Sequence, residues 1–194
     1  MTNTDLIDKV RKHFLELFQK KHSGYQFLDR HVQEVERWAL KILEKHPNAN
    51  KDVVMIGVWL HDVGQLIGDT SVDHAINSET ETKQYLQELH IDQNIIDQVA
   101  HCVRAHRNRD IKPETLEAKI VAASDSASHM TDINYIVHLS DGMRDYVDGK
   151  IERDYRDISV FPELKEEITP LYQAWKALIQ AFPVSDKKPE VNFA

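Results

Sequence analysis

Val58-Trp59-Leu60-His61-Asp62-Val63-Gly64 is the stretch on which the reading of this chain turns. An apolar helical run, Val53 to Leu60, ends here in a His-Asp pair, setting an imidazole beside a carboxylate where the apolar face stops. Burying two such groups is costly unless something compensates them. A divalent cation does so, because a neutral imidazole nitrogen and a carboxylate oxygen suit Mn, Fe, Co, Ni or Zn, and suit Mg less. Taken alone, the dipeptide is better explained by an ordinary His-Asp hydrogen bond. Its company elsewhere in the chain changes that balance.

Working outward, each periodic segment is helical. On the N-terminal side, Asp5 to Lys20 carries Leu6, Ile7, Val10, Phe14, Leu17 and Phe18 at helical spacing, with Thr4 as N-cap and a break at Lys20 to Gly24. His13 and His22 read as solvated. Leu28 to Lys45 forms a second helix whose stripe includes Val32, Val35, Trp38 and Ile42. His31 falls on that stripe, either as a core histidine with a satisfied hydrogen bond or as an inward-facing ligand. The Val53 to Leu60 helix is apolar almost all round, which makes it the central one.

On the C-terminal side, Gly64 and Gly68 mark an irregular loop, and Asp73 caps a helix with His74 in its first turn. From about Asn94 to Arg107 a stripe of Ile95, Val99, Cys102 and Val103 carries His106 inward. His101 lies about 140° away around the axis, toward solvent or a neighbouring helix. Thr115 starts a helix from Leu116 to about Met130, placing Asp125 among Ala122, Ala123, Ser124, Ser126 and Ala127. A carboxylate in so closely packed a place calls for a cation, and His129, four residues on, is positioned to partner it. Ile133 to Leu139 continues as helix, Asp141-Gly142 and Asp148-Gly149 punctuate a polar connection, and Pro162 opens a last amphipathic helix running through Trp175, Leu178 and Ile179. Residues 183–194 read as a flexible, frayed tail. Nothing divides residues 1–182, which read as one domain.

Composition sets outer limits. With 194 residues, 41% hydrophobic and 29% charged, the chain can bury a proper core. It has no 18-residue apolar run, so no membrane partner is expected. The lone Cys102 forms no internal disulfide, which fits a reducing cytoplasm, and the start of the chain lacks the order of a secretory signal. A formal net charge of −8 disfavours a nucleic-acid polymer as partner. Small anions stay accessible where a metal and local basic residues reverse the field.

His31, then His61-Asp62, then Asp125, each at an inward position or the end of an apolar run, resembles the HD superfamily of metal-dependent phosphohydrolases. The likeness runs from about Leu28 to Met130 and includes Glu117-Ala118-Lys119-Ile120-Val121-Ala122-Ala123-Ser124-Asp125, similar to the helix bearing the family's last ligand. It implies an all-α, single-domain bundle with a central metal site, in which His31, His61, Asp62 and Asp125 are ligands. His74 and His106 correspond to two further histidines of members holding a second ion, with Asp62 bridging; His74 also reads as a surface residue at a helix start, and His101 replaces His106 if the register shifts. Two departures narrow the likeness. Gln65 stands where deoxynucleoside monophosphatases of the family carry a catalytic Glu, and the paired histidine and Gly-Tyr-Pro run of the cyclic-dinucleotide phosphodiesterases are missing. The small stand-alone members with this order of ligands include nucleotide pyrophosphohydrolases, which the chain resembles.

Three readings follow. In the first, one or two cations activate water against a small phosphorylated metabolite, a nucleotide above all; His61 and Asp62 are the catalytic pair, and Arg104, Arg107, Arg109, Lys112 and Lys119 neutralise phosphate charge. Each of those cations also suits an ordinary solvated helix end. In the second, the same ligands hold two irons for oxygenase chemistry. In the third, favoured by Gln65, the metal or a nucleotide is bound without turnover. A homodimer is compatible with all three.

Overall fold

The computed structural model describes residues 3–21 and 27–183. Expectations for the Thr4 side chain, for His22 and for the tail beyond residue 183 fall outside those residues. The described chain is all-α, without a strand: α1 (Asn3–Lys20), α2 (Leu28–Lys45), α3 (Lys51–Leu60), a 3-10 turn (Val63–Gln65), α4 (His74–Glu88), α5 (Gln93–Ala105), α6 (Leu116–Thr131), α7 (Asn134–Ser140), α8 (Arg144–Ile158) and α9 (Pro162–Ala181). No helix among these residues is long and apolar enough to cross a membrane.

α3 is the axis of the bundle. Asn50 starts it by accepting hydrogen bonds from the backbone N–H groups of Asp52 and Val53. Every residue from Val53 to Leu60 is buried, with α1, α2, α5 and α6 packed around. At Gly57 a Cβ would meet Cys102 Cβ at 3.1 Å and Val121 Cγ2 at 3.3 Å, so the missing side chain lets α5 and α6 close on the axis. Trp59 packs edge-on to Phe14 of α1, ring centroids 5.7 Å apart. Asp73, Asp92 and Thr115 cap α4, α5 and α6 by accepting backbone hydrogen bonds.

Three expectations need correction. His13 is not solvated: its Nε2 lies 2.8 Å from Glu81 Oε1 and its ring stacks on Tyr85, which ties α1 to α4. The polar connection around Asp148-Gly149 is the helix α8, whose buried Val147, Ile151 and Ile158 recur at helical spacing and carry it against α6. Leu178 of α9 is exposed, because the helix turns Leu164, Ile168 and Ile179 to the core, with Leu171, Tyr172 and Trp175 packed against it, and leaves Leu178 outside that face.

The 3-10 turn brings α4 to the end of α3. Gly64 N donates to Ser78 Oγ at 2.8 Å, and a Cβ at Gly64 would lie 2.2 Å from His74 O and 2.5 Å from Ser78 N. Only a glycine admits that approach, and it sets His74 beside Asp62.

Candidate metal centre

Four donor atoms from three helices meet at the end of α3. His31 Nε2 (α2) lies 3.1 Å from Asp125 Oδ1 (α6) and 3.7 Å from Asp62 Oδ2. His61 Nε2 lies 3.3 Å from His31 Nε2, 3.6 Å from Asp62 Oδ2 and 3.7 Å from Asp125 Oδ1. The other oxygen of Asp62 faces away from these: Oδ1 lies 3.2 Å from His74 Nε2 and 3.6 Å from His106 Nε2. His31, His61, Asp62, His106 and Asp125 are all buried, and His74 is half-buried.

Backbone and carboxylate partners fix the rings. His61 Nδ1 donates to Val58 O at 2.7 Å and His106 Nδ1 to Val103 O at 2.6 Å. His31 Nδ1 lies 3.1 Å from both Asp132 Oδ2 and Ser128 Oγ. With the outer nitrogen of each ring so engaged, the inner nitrogens converge, an orientation typical of ligating imidazoles.

The residues fit a cation on two observations. Asp62 Oδ1 is buried without a well-formed hydrogen bond, although two imidazole nitrogens face it. Two imidazole nitrogens 3.3 Å apart, at His31 and His61, need a proton or a metal between them. Metal-free, a proton serves: burial pulls His31 down, but hydrogen bonds to Asp125 and Asp132 and the charge of Asp62 lift it to about 10. Burial pushes Asp62 and Asp125 up, yet the surrounding histidines hold both well below the ordinary carboxylate range. His106, desolvated and beside His61, drops to about 4, so it is neutral and free to ligate. Three sets of donors lie within 4.8 Å of one another: His31, His61 and Asp62; Asp62, His74 and His106; and His31, Asp125 and His129. Nitrogen and oxygen donors in this mixture suit first-row transition metals.

The six expected ligands thus come together; the expected phosphate cations divide. Arg107 and Arg109 line a cavity of about 180 Å³ opening from the centre. Arg104 does not: two residues before His106 it points about 200° away, ion-paired with Asp110 and Glu79. Lys119, about 240° around α6 from Asp125, does not line that cavity, and neither does Lys112, which donates to Asn108 O. His101 is also outside, its Nε2 accepting from Glu114 N at 3.1 Å.

Sequence reasoning missed the contribution of α8. Lys150 and Arg153 line the same cavity, and Asp154 lies 3.3 Å from His129 Nδ1 and 3.3 Å from Lys150 Nζ, with Tyr135 donating to it at 2.6 Å. Val147, Ile151 and Ile158 at helical spacing were the signal that could have shown this helix. Asp132, the partner of His31, carried no such signal.

An all-α bundle closed around buried histidines and carboxylates is the architecture of a metal-binding domain. A family model for the HD domain matches residues 28–130, slightly over half of the 194 residues, and the chain belongs to that family. HD domains form a superfamily of metal-dependent hydrolases and bind divalent metals. No solved structure matches the chain.

Proposed function

We propose that this HD protein hydrolyses a phosphoester or phosphoanhydride bond of a small phosphorylated metabolite, a nucleotide above all. The observation that carries the reading is the juxtaposition of the donor cluster with four cations, Arg107, Arg109, Lys150 and Arg153, on one small cavity. Arg107 is ion-paired with Asp73 and Lys150 with Asp154. Arg109 and Arg153 have no carboxylate partner among the described residues, and Arg109 is lowered by burial and by the neighbouring charges of Arg107 and Arg153. Crowded cations of this kind are relieved by an anion, and guanidinium groups match phosphate oxygens bidentately.

His31, His61, Asp62 and Asp125 would hold one ion, and Asp62, His74 and His106 a second. A bound divalent cation polarises a phosphoryl oxygen and brings water toward ionisation near neutral pH. The chain's own groups do the rest. Asp62 and Asp125 present carboxylate oxygens that orient the attacking water, Arg109 and Arg153 hold the phosphate against them, and Lys150 and Arg107 balance charge that grows on its oxygens. Gln65, at the mouth of the site, supplies an amide and no proton acceptor of carboxylate strength.

The test is phosphate and pyrophosphate release from a nucleotide panel by protein loaded with Mn, Fe, Co, Ni or Mg. Turnover that is lost in His61→Ala and Asp62→Ala supports the reading. A panel left intact under every metal overturns it.

A further inference from the structure

The metal centre opens on two sides, not one. Beside the cation-lined cavity, a second of about 530 Å³ lies between α2 and the start of α7. The two share Asp62, Gln65, His129 and Asn134, so they form two lobes meeting over the centre. Their chemistry differs. The α8 lobe carries Arg107, Arg109, Lys150 and Arg153 and suits only anionic or strongly polar groups. The α7 lobe exposes Phe27, Ile133 and Val137 at 44%, 41% and 38% of their surface, with Leu28 behind them. Large apolar side chains left open around a concave, centre-facing surface mark a place where something apolar lies.

We infer that the α7 lobe is the binding site for the flat, apolar-faced organic part of the substrate, a nucleobase, with the phosphates directed across the centre into the α8 lobe. The inference rests on the phosphohydrolase reading for the position of the phosphates. Size agrees, since 530 Å³ falls within the roughly 300–1,000 Å³ of small-molecule pockets. Edge chemistry selects a heteroaromatic ring over an alkyl chain. The side chains of Arg30 and His138 line the lobe and form no hydrogen bond among the described residues, while Glu34 and Thr131, also lining it, are paired with each other, and Glu34 also with Arg37. A nucleobase offers apolar faces to Phe27, Ile133 and Val137 and donors and acceptors along its edge to these groups. A lipid tail would leave the polar atoms unmatched, and an inorganic phosphate chain would leave the apolar wall bare. The phosphorus–oxygen bonds nearest the ribose then lie over Asp62, between the lobes.

Val137→Asp and Phe27→Ala change exposed side chains that contact no expected ligand, and circular dichroism confirms their folding. Steady-state kinetics of Mn-loaded protein compare adenosine and thymidine triphosphates with inorganic triphosphate. The expected result is a KM for the nucleotides raised about tenfold or more in both variants, the size of one lost apolar contact of 1–3 kcal/mol, while inorganic triphosphate is unchanged. Saturation-transfer NMR with adenosine, guanosine, cytidine and thymidine reads the lobe without turnover, and binding should weaken in the same variants. Nucleoside binding with the nucleotide panel left intact under every metal keeps the lobe assignment and overturns the hydrolase reading. Hydrolysis with the two classes of triphosphate affected alike, or a sedimentation mass that falls in the variants because the face joins two copies, overturns the lobe assignment and leaves the hydrolase reading standing.

Discussion

Asp132 Oδ2 lies 3.1 Å from His31 Nδ1, a contact across 101 residues that fixes which nitrogen of the ring faces the centre. The other oxygen of Asp132 accepts from Asn134 N at 2.7 Å and starts α7, so the same side chain orients a ligand and the helix flanking the apolar lobe. A carboxylate behind a ligating imidazole raises its basicity and holds its tautomer. Asp132→Asn keeps the cap and removes the charge, and should weaken metal binding about 10–100-fold. Competition against a fluorescent chelator measures this; an affinity equal to the parent's would show that His31 does not depend on Asp132.

Asp62 turns its two oxygens toward different sets of histidines, so the two donor groups share one residue. Metal content should therefore fall unevenly. His106→Ala removes one donor of the Asp62–His74–His106 group and is expected to lower two bound ions per chain to one, whereas Asp62→Ala depletes both. Elemental analysis of the purified variants decides it. One ion in the parent and the same one in His106→Ala would restrict binding to the His31 side.

The cations around the site make a contrast that solution kinetics can read. Arg109 faces the cavity without a carboxylate partner among the described residues, whereas Arg104 is turned outward against Asp110 and Glu79. Losing a charge-assisted hydrogen bond to phosphate is worth about 1.5–3 kcal/mol, so Arg109→Ala should lower kcat/KM by roughly tenfold or more. Arg104→Ala should leave it within about twofold, as surface ion pairs are worth little. The opposite ranking would move the phosphate to the far side of α5.

The ligand residues were legible because each left a local mark. His31 falls on the Leu28–Val32–Val35–Trp38 stripe, His61-Asp62 ends an apolar run, and Asp125 sits among small residues. Such marks survive without tertiary information because 3.6-residue periodicity states which face is inward. The cavity walls left none. Lys150 and Arg153 are ordinary exposed-type residues on a helix whose Asp148-Gly149 pair resembles a turn signal, and only packing of α8 on α6 turns them toward Asp125. Arg104 shows the converse: proximity in sequence to His106 suggested a shared role, and the helical angle denies it. His13 joins Glu81 across 68 residues, a pairing no window of sequence contains.

Gly64 offers a test of how the second histidine set is assembled. Its Cα faces the backbone of α4, where a methyl group would approach His74 O to 2.2 Å. Backbone atoms cannot swing aside as a flexible side chain can, so Gly64→Ala must part the 3-10 turn from α4. The expected cost is about 1–3 kcal/mol, as for other overpacked sites, and His74 should withdraw from Asp62. Chemical denaturation gives the first quantity and metal stoichiometry the second. A variant as stable as the parent, with undiminished metal content, would contradict the close approach.

The protonation of His31 predicts how the metal-free protein responds to pH. Burial opposes its charge, but Asp125 and Asp132 lift it from 6.5 to about 10, so the folded chain keeps a proton that the unfolded chain releases. A value raised on folding stabilises fully below the lower figure, and that contribution is lost as pH climbs through the upper one. Chelator-treated protein should therefore lose stability steadily between 6.5 and about 10. Asp62 and Asp125, held well below the ordinary 3.8, act in the other direction: their contribution is present above that value and disappears as the solution is acidified beneath it. A divalent cation replaces the His31 proton, so metal affinity should rise over the same alkaline window and loaded protein should escape the loss. Urea denaturation with and without Mn, from about pH 6 to about pH 10, measures both slopes. A metal-free stability that is level or climbs across that range would show that His31 is not held as a cation by its two carboxylates, and His31→Gln, which cannot take up the proton, should flatten the profile.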